Sequence, residues 1–361
     1  GSLPHVGPKP WAGGGCPYWC GFFVQAPWRT YGNYNDPRLI EKYYSQMKEW
    51  FKYVDKYTVD GLLKRWPDTD YRAWYLGDWL APAGVDYTAQ SSVDLVSNCV
   101  ISDCLTTMEK SAKGLGKAAD AAKYKERRQR LNELIQKTFY DPEKKQYATG
   151  SQIDRIYPML VGVTDEQHMP EVKEGLYRET LENCKGHIGS GLVGVTILTD
   201  WAIKDGEADF LYSMLKKREL PGYLYMIDQG ASTTWEYWSG ERSKVHNCFN
   251  GIGAWFCQAV GGILPDEDEP GYKHFFIKPQ IPNGVTGAWA ARETPYGTAR
   301  VSWTMGNRSL SLDLEIPANS MATFIAPFNV SNCVLDGNNV EISAGSILLE
   351  SGKHTLSLPA E

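Results

Sequence analysis

The sequence predicts a chain of two domains, α + β in class, with a helical bundle or toroid over residues 1–263 and an antiparallel β-sandwich over 264–361. Three observations lead there. Apolar residues recur at three- and four-residue steps through most of the first region, the signature of amphipathic helices. The pattern breaks at Gly261-Gly262. Beyond that point short runs rich in Val, Ile, Thr and Trp alternate with turn-forming clusters, as strands of a sandwich do.

Taken in order, the opening Gly1 to Pro10 is too rich in Pro and Gly to form a regular element. Residues 11–28 set Gly13-Gly14-Gly15 among Trp11, Tyr18, Trp19 and Trp28. They read either as a glycine-cushioned aromatic loop at the mouth of the helical domain or as a strand or helix packed into its core. Asn35-Asp36-Pro37 starts a helix, with a capping side chain and Pro pre-set at the first turn. Leu39, Ile40, Tyr43, Tyr44, Met47, Trp50, Phe51 and Val54 then form one apolar face that ends before Asp60-Gly61. Segments 91–112, 118–139, 151–163, 167–184, 189–204 and 207–217 read as further helices, about nine in all, and a long apolar helix follows His246. Short connections make serial helices antiparallel neighbours. In the second region the strands are 274–278, 286–293, 298–304, 309–316, 320–326, 331–335, 346–350 and 354–358. The acidic run Asp266 to Glu269 reads as a solvated linker, because it lacks the alternation and turn glycine of a hard-cation loop.

With 361 residues, 13 Trp and 21 Tyr, the chain can fill a large core and still have aromatic surface to spare. Acidic and basic residues are interspersed at a net charge of −6, so no basic stripe offers itself to nucleic acid. No apolar run reaches the roughly 18–20 residues of a membrane span, and no charged n-region and apolar h-region open the chain. Eight Cys are scattered at 16, 20, 99, 104, 184, 248, 257 and 333, without zinc spacing. Cys99, Cys104 and Cys257 are expected as buried free thiols, and Cys16 with Cys20 could pair. No metal or cofactor is expected.

The most informative stretch is Asp228-Gln229-Gly230-Ala231-Ser232-Thr233-Thr234-Trp235-Glu236-Tyr237-Trp238, with His246 behind it. A carboxylate set between two indoles and a phenol suits a sugar-cleaving site, which needs flat apolar faces to stack on a pyranose and an acid/base group among them. The competing reading makes Trp235 and Trp238 core residues with Glu236 on a solvated face. Asp78 and Trp79, in Gly77-Asp78-Trp79-Leu80, could bind vicinal hydroxyls and stack on a ring, or could be a helix-capping Asp and a core Trp. Trp74 and Tyr75 are further candidate platforms. Asp68 and Asp70 are turn residues first.

The run Gly230 to Trp238, His246, the segment Gly251 to Gly262, Pro270-Gly271-Tyr272-Lys273 and Thr294-Pro295-Tyr296-Gly297 resemble the α-L-rhamnosidases of glycoside hydrolase family 78. The likeness extends upstream through Gly77 to Pro82, Gln152 and Gly189-Ser190-Gly191, and so covers nearly the whole chain. It implies a six-hairpin (α/α)6 barrel followed by a β-sandwich, here without the first hairpin. It also implies an inverting hydrolase that removes terminal α-L-rhamnose from glycans, with Glu236 as general base. Asp78, Trp79, Trp74, Trp235, Trp238 and His246 would form the sugar-binding surround.

Two departures bear on substrate choice. The Gly13-to-Cys20 loop stands where the family commonly has Trp-Gly-Asp, and Tyr237 stands where Arg is common. Nothing in the chain matches the family's Arg-Asp-Glu-Arg-type general-acid motif. The expectation is that the acid lies upstream of Gly1, in N-terminal domains of the same polypeptide, where a secretion signal would direct the protein to the periplasm or outside the cell. Two rival readings keep a carbohydrate partner: an unsaturated-uronide hydrolase or lyase on the same barrel, and a non-catalytic carbohydrate-binding fragment lacking the acid. The first wants cations opposite a uronate, and the cleft stretches offer only Arg72 and Arg242.

Overall fold

The computed structural model describes residue 3 and residues 15–66, 75–247 and 249–359. The chain divides into two compact units, one made of Gly1–Trp28, Pro37–Trp201 and Ser213–Gly251, the other of Arg29–Asp36, Ala202–Tyr212 and Ile252–Glu361.

Helices make up most of the first unit, and the last of them falls in the second. In chain order they are α1 (Pro17–Tyr34), α2 (Arg38–Asp55), α3 (Gln90–Gly114), α4 (Ala118–Phe139), α5 (Gln152–Leu160), α6 (Met169–Arg178), α7 (Leu192–Asp205), α8 (Ala208–Leu215), α9 (Tyr223–Asp228) and α10 (Ile252–Trp255). α1 resolves the alternatives left open for residues 11–28: from Pro17 onward the segment is helical, with Pro27 inside it. Pro17 suits a first helical turn, where its missing N–H is not needed.

α2 buries Ile40, Tyr44, Met47, Trp50, Phe51 and Val54, as its periodicity predicts. Each such side chain contributes about 1.5–3 kcal/mol relative to exposure. Leu39, expected on that face, is exposed, and Pro37 precedes the helix without a side-chain cap. After α2 the chain makes a hairpin, β1 (Thr58–Val59) with β2 (Leu62–Leu63). Asp60 and Gly61 both have positive φ, 51° and 83°, the pair of left-handed residues that a two-residue I′ turn requires.

α3 is buried nearly all round, so its polar residues must find partners inside. Ser92 donates to Asp154 at 2.6 Å, Ser102 donates to Asn132 at 2.6 Å, and Asn98 donates to the Leu63 carbonyl at 3.2 Å. The second of these bonds ties α3 to α4, its neighbour across a three-residue link. A second short hairpin, β3 (Tyr140–Asp141) with β4 (Gln146–Tyr147), follows α4, and its turn contains the expected Asp141-Pro142 break.

The second unit contains two sheets. A four-stranded sheet has the order β13-β10-β6-β5, and a six-stranded sheet the order β12-β11-β14-β9-β8-β7. Their strands are β5 (Ile263–Pro265), β6 (His274–Ile277), β7 (Gly287–Thr294), β8 (Gly297–Met305), β9 (Ser309–Ile316), β10 (Met321–Ile325), β11 (Asn332–Leu335), β12 (Asn338–Glu341), β13 (Ser346–Leu349) and β14 (Gly352–Pro359). Alternation buries Ala299, Val301 and Trp303 of β8 and Leu310, Leu312, Leu314 and Ile316 of β9 on one face. Phe275, Ile277, Ala322 and Phe324 are the corresponding residues of β6 and β10.

The expected antiparallel sandwich holds with one exception: β6 and β10 pair in parallel, because β7 to β9 intervene in the other sheet. Two strands escaped the sequence reading. β5 is only three residues long, and β12 is mostly polar. β12 is joined to β11 through Asp336-Gly337, φ 50° and 80°, a second I′ turn. The long apolar helix expected after His246 is instead α10 followed by a π-helical turn, Phe256–Val260.

Cys16, Cys20, Cys99 and Cys104 are buried free thiols, while Cys257 is only half-buried. Burial pushes Cys16 up to about 11, so it is held as the thiol. Asp266 is more than a solvated linker residue, since it bonds to His274 at 2.7 Å. No group of three or more metal-ligating side chains occurs among the described residues, and no helix among them is long and apolar enough to cross a membrane.

Candidate active site

Glu236 lies in a loop whose two arms run antiparallel. The Glu236 N–H donates to the Ser243 carbonyl at 2.9 Å, and the His246 N–H donates to the Thr234 carbonyl at 2.9 Å. Thr233 and Thr234 add hydroxyl bonds to the Lys244 and His246 carbonyls, both at 2.6 Å. Threonines thus take the place of further ladder bonds where the strand geometry fails. At the loop's tip Gly240 has φ 81°, and a Cβ there would lie 2.6 Å from the Trp235 ring. Only glycine fits.

The Glu236 side chain is 14% exposed. Its Oε2 accepts the Ser243 N–H at 3.2 Å, and its Oε1 lies 3.8 Å from Nη1 of Arg242. The flanking indoles turn the other way. Trp235 and Trp238 are each 3% exposed. Trp238 stacks on Phe249 at 4.0 Å, meets Tyr223 edge-on at 5.3 Å, and donates its indole N–H to the Ser190 carbonyl at 3.0 Å. Both indoles therefore pack the base of the loop, and neither offers a face to a sugar.

Asp78 is likewise corrected. It is 1% exposed, and both its oxygens are taken by backbone: Oδ2 accepts Gly191 N–H at 2.8 Å and Oδ1 accepts Gly194 N–H at 2.6 Å. These donors belong to the first turn of α7, where unpaired amides and the helix dipole favour an anion. The aspartate caps a helix more than a hundred residues away in sequence, and at 1% exposure it is closed off from solvent. Beside it the Trp79 carbonyl accepts the Leu192 N–H at 2.8 Å.

The Trp79 ring itself is half-buried, 6.4 Å from Trp19 and 6.2 Å from His246. A closed ring of contacts results. Gly77 to Leu80 holds the 189–194 turn, that turn holds Trp238, and the loop carrying Trp238 and Glu236 returns through His246 to Trp79. Glu236, Trp79 and His246 are the expected site residues that remain partly open. Trp74, Asp68, Asp70 and Arg72 lie outside the described residues. Tyr75 accepts the Trp66 N–H at 3.1 Å and packs on that indole at 5.3 Å.

Gln152 and Gly189-Ser190-Gly191, points of resemblance in the sequence without an assigned role, hold the turn together with Gly194. Gly189, Gly191 and Gly194 follow a G-x-G-x-x-G spacing in which the Gly191 and Gly194 amides clasp a carboxylate instead of a phosphate. A Cβ on Gly194 would lie 2.5 Å from Asp78 Oδ2. Gln152 braces the turn from behind, accepting the Gly189 N–H at 2.8 Å and donating to the His187 carbonyl at 3.1 Å. That spacing was available as a signal.

Burial pushes the Asp78 carboxyl up to about 7, against the opposing pull of the Gly191 and Gly194 N–H donors. A carboxyl whose native pKa exceeds its unfolded value binds its proton more tightly when folded. Its stabilising contribution is therefore complete below about pH 4 and is lost as pH rises through about 7. Asp78→Asn removes this titration. The Tm of the wild type should fall relative to that of Asp78→Asn by a few degrees between about pH 5 and about pH 8, measured by thermal denaturation.

The helical unit also contains a cavity of about 400 Å³ lined by Asp55, Leu63, Asn98, Glu126, Arg127 and Leu134, among others. None of the expected site residues lines it. Its carboxylates, Asp55 and Glu126, are paired with Arg127 and Arg130.

Residues 1–260 match the bacterial α-L-rhamnosidase six-hairpin glycosidase domain, and residues 262–341 the bacterial α-L-rhamnosidase C-terminal domain. An α-L-rhamnosidase of Alteromonas sp. (strain LOR) is 26% identical over 324 residues, which cover 84% of this chain and 34% of that protein. The structure of an α-L-rhamnosidase from Dictyoglumus thermophilum superposes with a TM-score of 0.86 at 23% identity, over 96% of this chain and 40% of that one. The Streptomyces avermitilis α-L-rhamnosidase complexed with L-rhamnose gives 0.86 at 22% identity, over 99% and 34%. These two likenesses establish the fold: a six-hairpin helical domain followed by a β-sandwich. The chain spans about a third of the length of the curated relatives it matches, 34% and 36% for the first two. With its larger domain matched throughout, the chain belongs to the bacterial α-L-rhamnosidase six-hairpin glycosidase family.

Proposed function

We propose that this chain carries the water-activating side of an inverting α-L-rhamnosidase, with Glu236 as general base. In that reaction the ionised carboxylate takes a proton from water as the water oxygen attacks the anomeric carbon. The glycosidic C–O bond breaks on the opposite face, and a second carboxyl group protonates the departing oxygen. Inversion needs the two carboxyl groups roughly 6.5–9.5 Å apart so that the water fits. The acid is not assigned to any residue of this chain.

One observation carries the reading. Within a family of glycosidases, the carboxylate of the matching motif lies in a loop pinned through its buried indole to the turn that Asp78 organises, with Trp79 and His246 half-open beside it. Trp79 is the stacking face for the deoxysugar and its methyl group, His246 a hydrogen-bonding neighbour, and Trp74 a second platform. Asp78, Trp235 and Trp238 position these groups from behind. No metal takes part in this scheme. Proton NMR of the enzyme carrying this chain, followed during hydrolysis of an aryl α-L-rhamnoside, should detect β-L-rhamnose first. First release of α-L-rhamnose would require a covalent intermediate and a different role for Glu236.

A further inference from the structure

We propose that Arg242 is a positioning residue for the Glu236 carboxylate, a role that rests on the reading of Glu236 as base. Three features of the loop point to it. The Arg242 guanidinium stands 3.8 Å from Oε1 of Glu236, on the oxygen not bonded to the Ser243 amide. It also lies over the ring of Tyr237, 5.4 Å from the centroid, so a half-buried aromatic face supports the cation from below. Finally, Arg242 has φ 56°, in the left-handed region that non-glycine residues occupy at a cost of about 1–2 kcal/mol.

Together these contacts act on both carboxylate oxygens, one through a hydrogen bond and the other, at 3.8 Å, through charge alone. The Ser243 N–H holds Oε2, and the cation draws Oε1 toward the side of Tyr237. A base acts on one water in one orientation, so a carboxylate free to rotate about its terminal torsion spends much of its time misaligned. A planar guanidinium seated on a ring limits that rotation, whereas a flexible ammonium constrains it less. At 67% exposure the arginine adds little to folding stability. The arrangement therefore acts on turnover, with little effect on the fold.

The test compares Arg242→Ala, Arg242→Lys and Glu236→Gln in the enzyme carrying this chain, on an aryl α-L-rhamnoside. Arg242→Ala should lower kcat roughly tenfold or more with KM within about twofold, and Arg242→Lys should recover part of the loss. Added guanidinium at millimolar concentration should restore kcat several-fold in Arg242→Ala, and should do nothing for Glu236→Gln. A kcat for Arg242→Ala within about threefold of wild type, with Glu236→Gln inactive, overturns the proposal and leaves the base in place. A loss of kcat that guanidinium does not rescue, accompanied by a lower Tm, overturns it too, because the role is then structural. Retained activity in Glu236→Gln removes the reading of the base itself.

Discussion

Glu236→Gln should reduce kcat on an aryl α-L-rhamnoside by roughly 10²–10⁴-fold, the usual contribution of a positioned general base. The amide has nearly the same volume as the carboxylate, and its oxygen can still accept the Ser243 N–H that holds Oε2 at 3.2 Å. What it lacks is the ability to take a proton from water. KM should therefore stay within a few-fold of wild type, and Tm should be unchanged, since the side chain contributes one amide bond and a partly exposed ion pair. Steady-state kinetics with thermal denaturation separate these outcomes. A variant within tenfold of wild type would take the base away from this position.

Gly191→Ala should do comparable damage through the scaffold. A Cβ at Gly191 would lie 2.3 Å from the Trp79 carbonyl oxygen, 2.4 Å from that of Asp78 and 2.5 Å from the Ala81 amide nitrogen. All three neighbours are backbone atoms, so none can swing aside, and the turn must separate from the Gly77 to Ala81 segment. Separation lengthens the Gly191 bond to Asp78 and the Leu192 bond to the Trp79 carbonyl, leaving a buried carboxylate poorly paired. The expected loss is about 3 kcal/mol of stability or more, with kcat down roughly 100-fold because Trp79 and the Trp238 anchor move with the turn. Urea denaturation and kinetics on the same preparation measure both. An unchanged Tm would mean that the clasp around Asp78 does not support the site.

The contrast between these residues shows where sequence reading succeeds and where it stops. Strands β7 to β10 and β14 and helices α2 and α4 were legible because burial on one face writes a period of two or of 3.6 into consecutive residues, and α3 because its apolar run is too long for a strand. α1 was obscured by three preceding glycines and by Pro17 and Pro27, which read as breakers unless the first-turn role of Pro17 is already known. β12 was missed because Asn338, Asn339 and Glu341 leave it almost no apolar signal, although Asp336-Gly337 announced the turn.

At the candidate site, the ordered motifs named the segments and left the orientation of their side chains open. Nothing local distinguishes an indole that faces a ligand from one that stacks on Phe249, and Trp235 and Trp238 both proved to be packing residues. The pairing of Asp78 with Gly191 and Gly194 spans more than a hundred residues, and such contacts leave no periodic trace. Arg242 was visible as a cation near the motif, yet its place over Tyr237 depends on a left-handed backbone that the residue type does not advertise.

Azide rescue of Glu236→Ala tests the assignment of the base most directly. Truncation opens space where the carboxylate stood, and an anion that needs no deprotonation can then replace activated water. With an aryl α-L-rhamnoside bearing a good leaving group, added azide should restore turnover and yield the β-L-rhamnosyl azide, identifiable by proton NMR. Formation of the α-azide, or no azide product from a correctly folded variant, would contradict the role of Glu236 as general base.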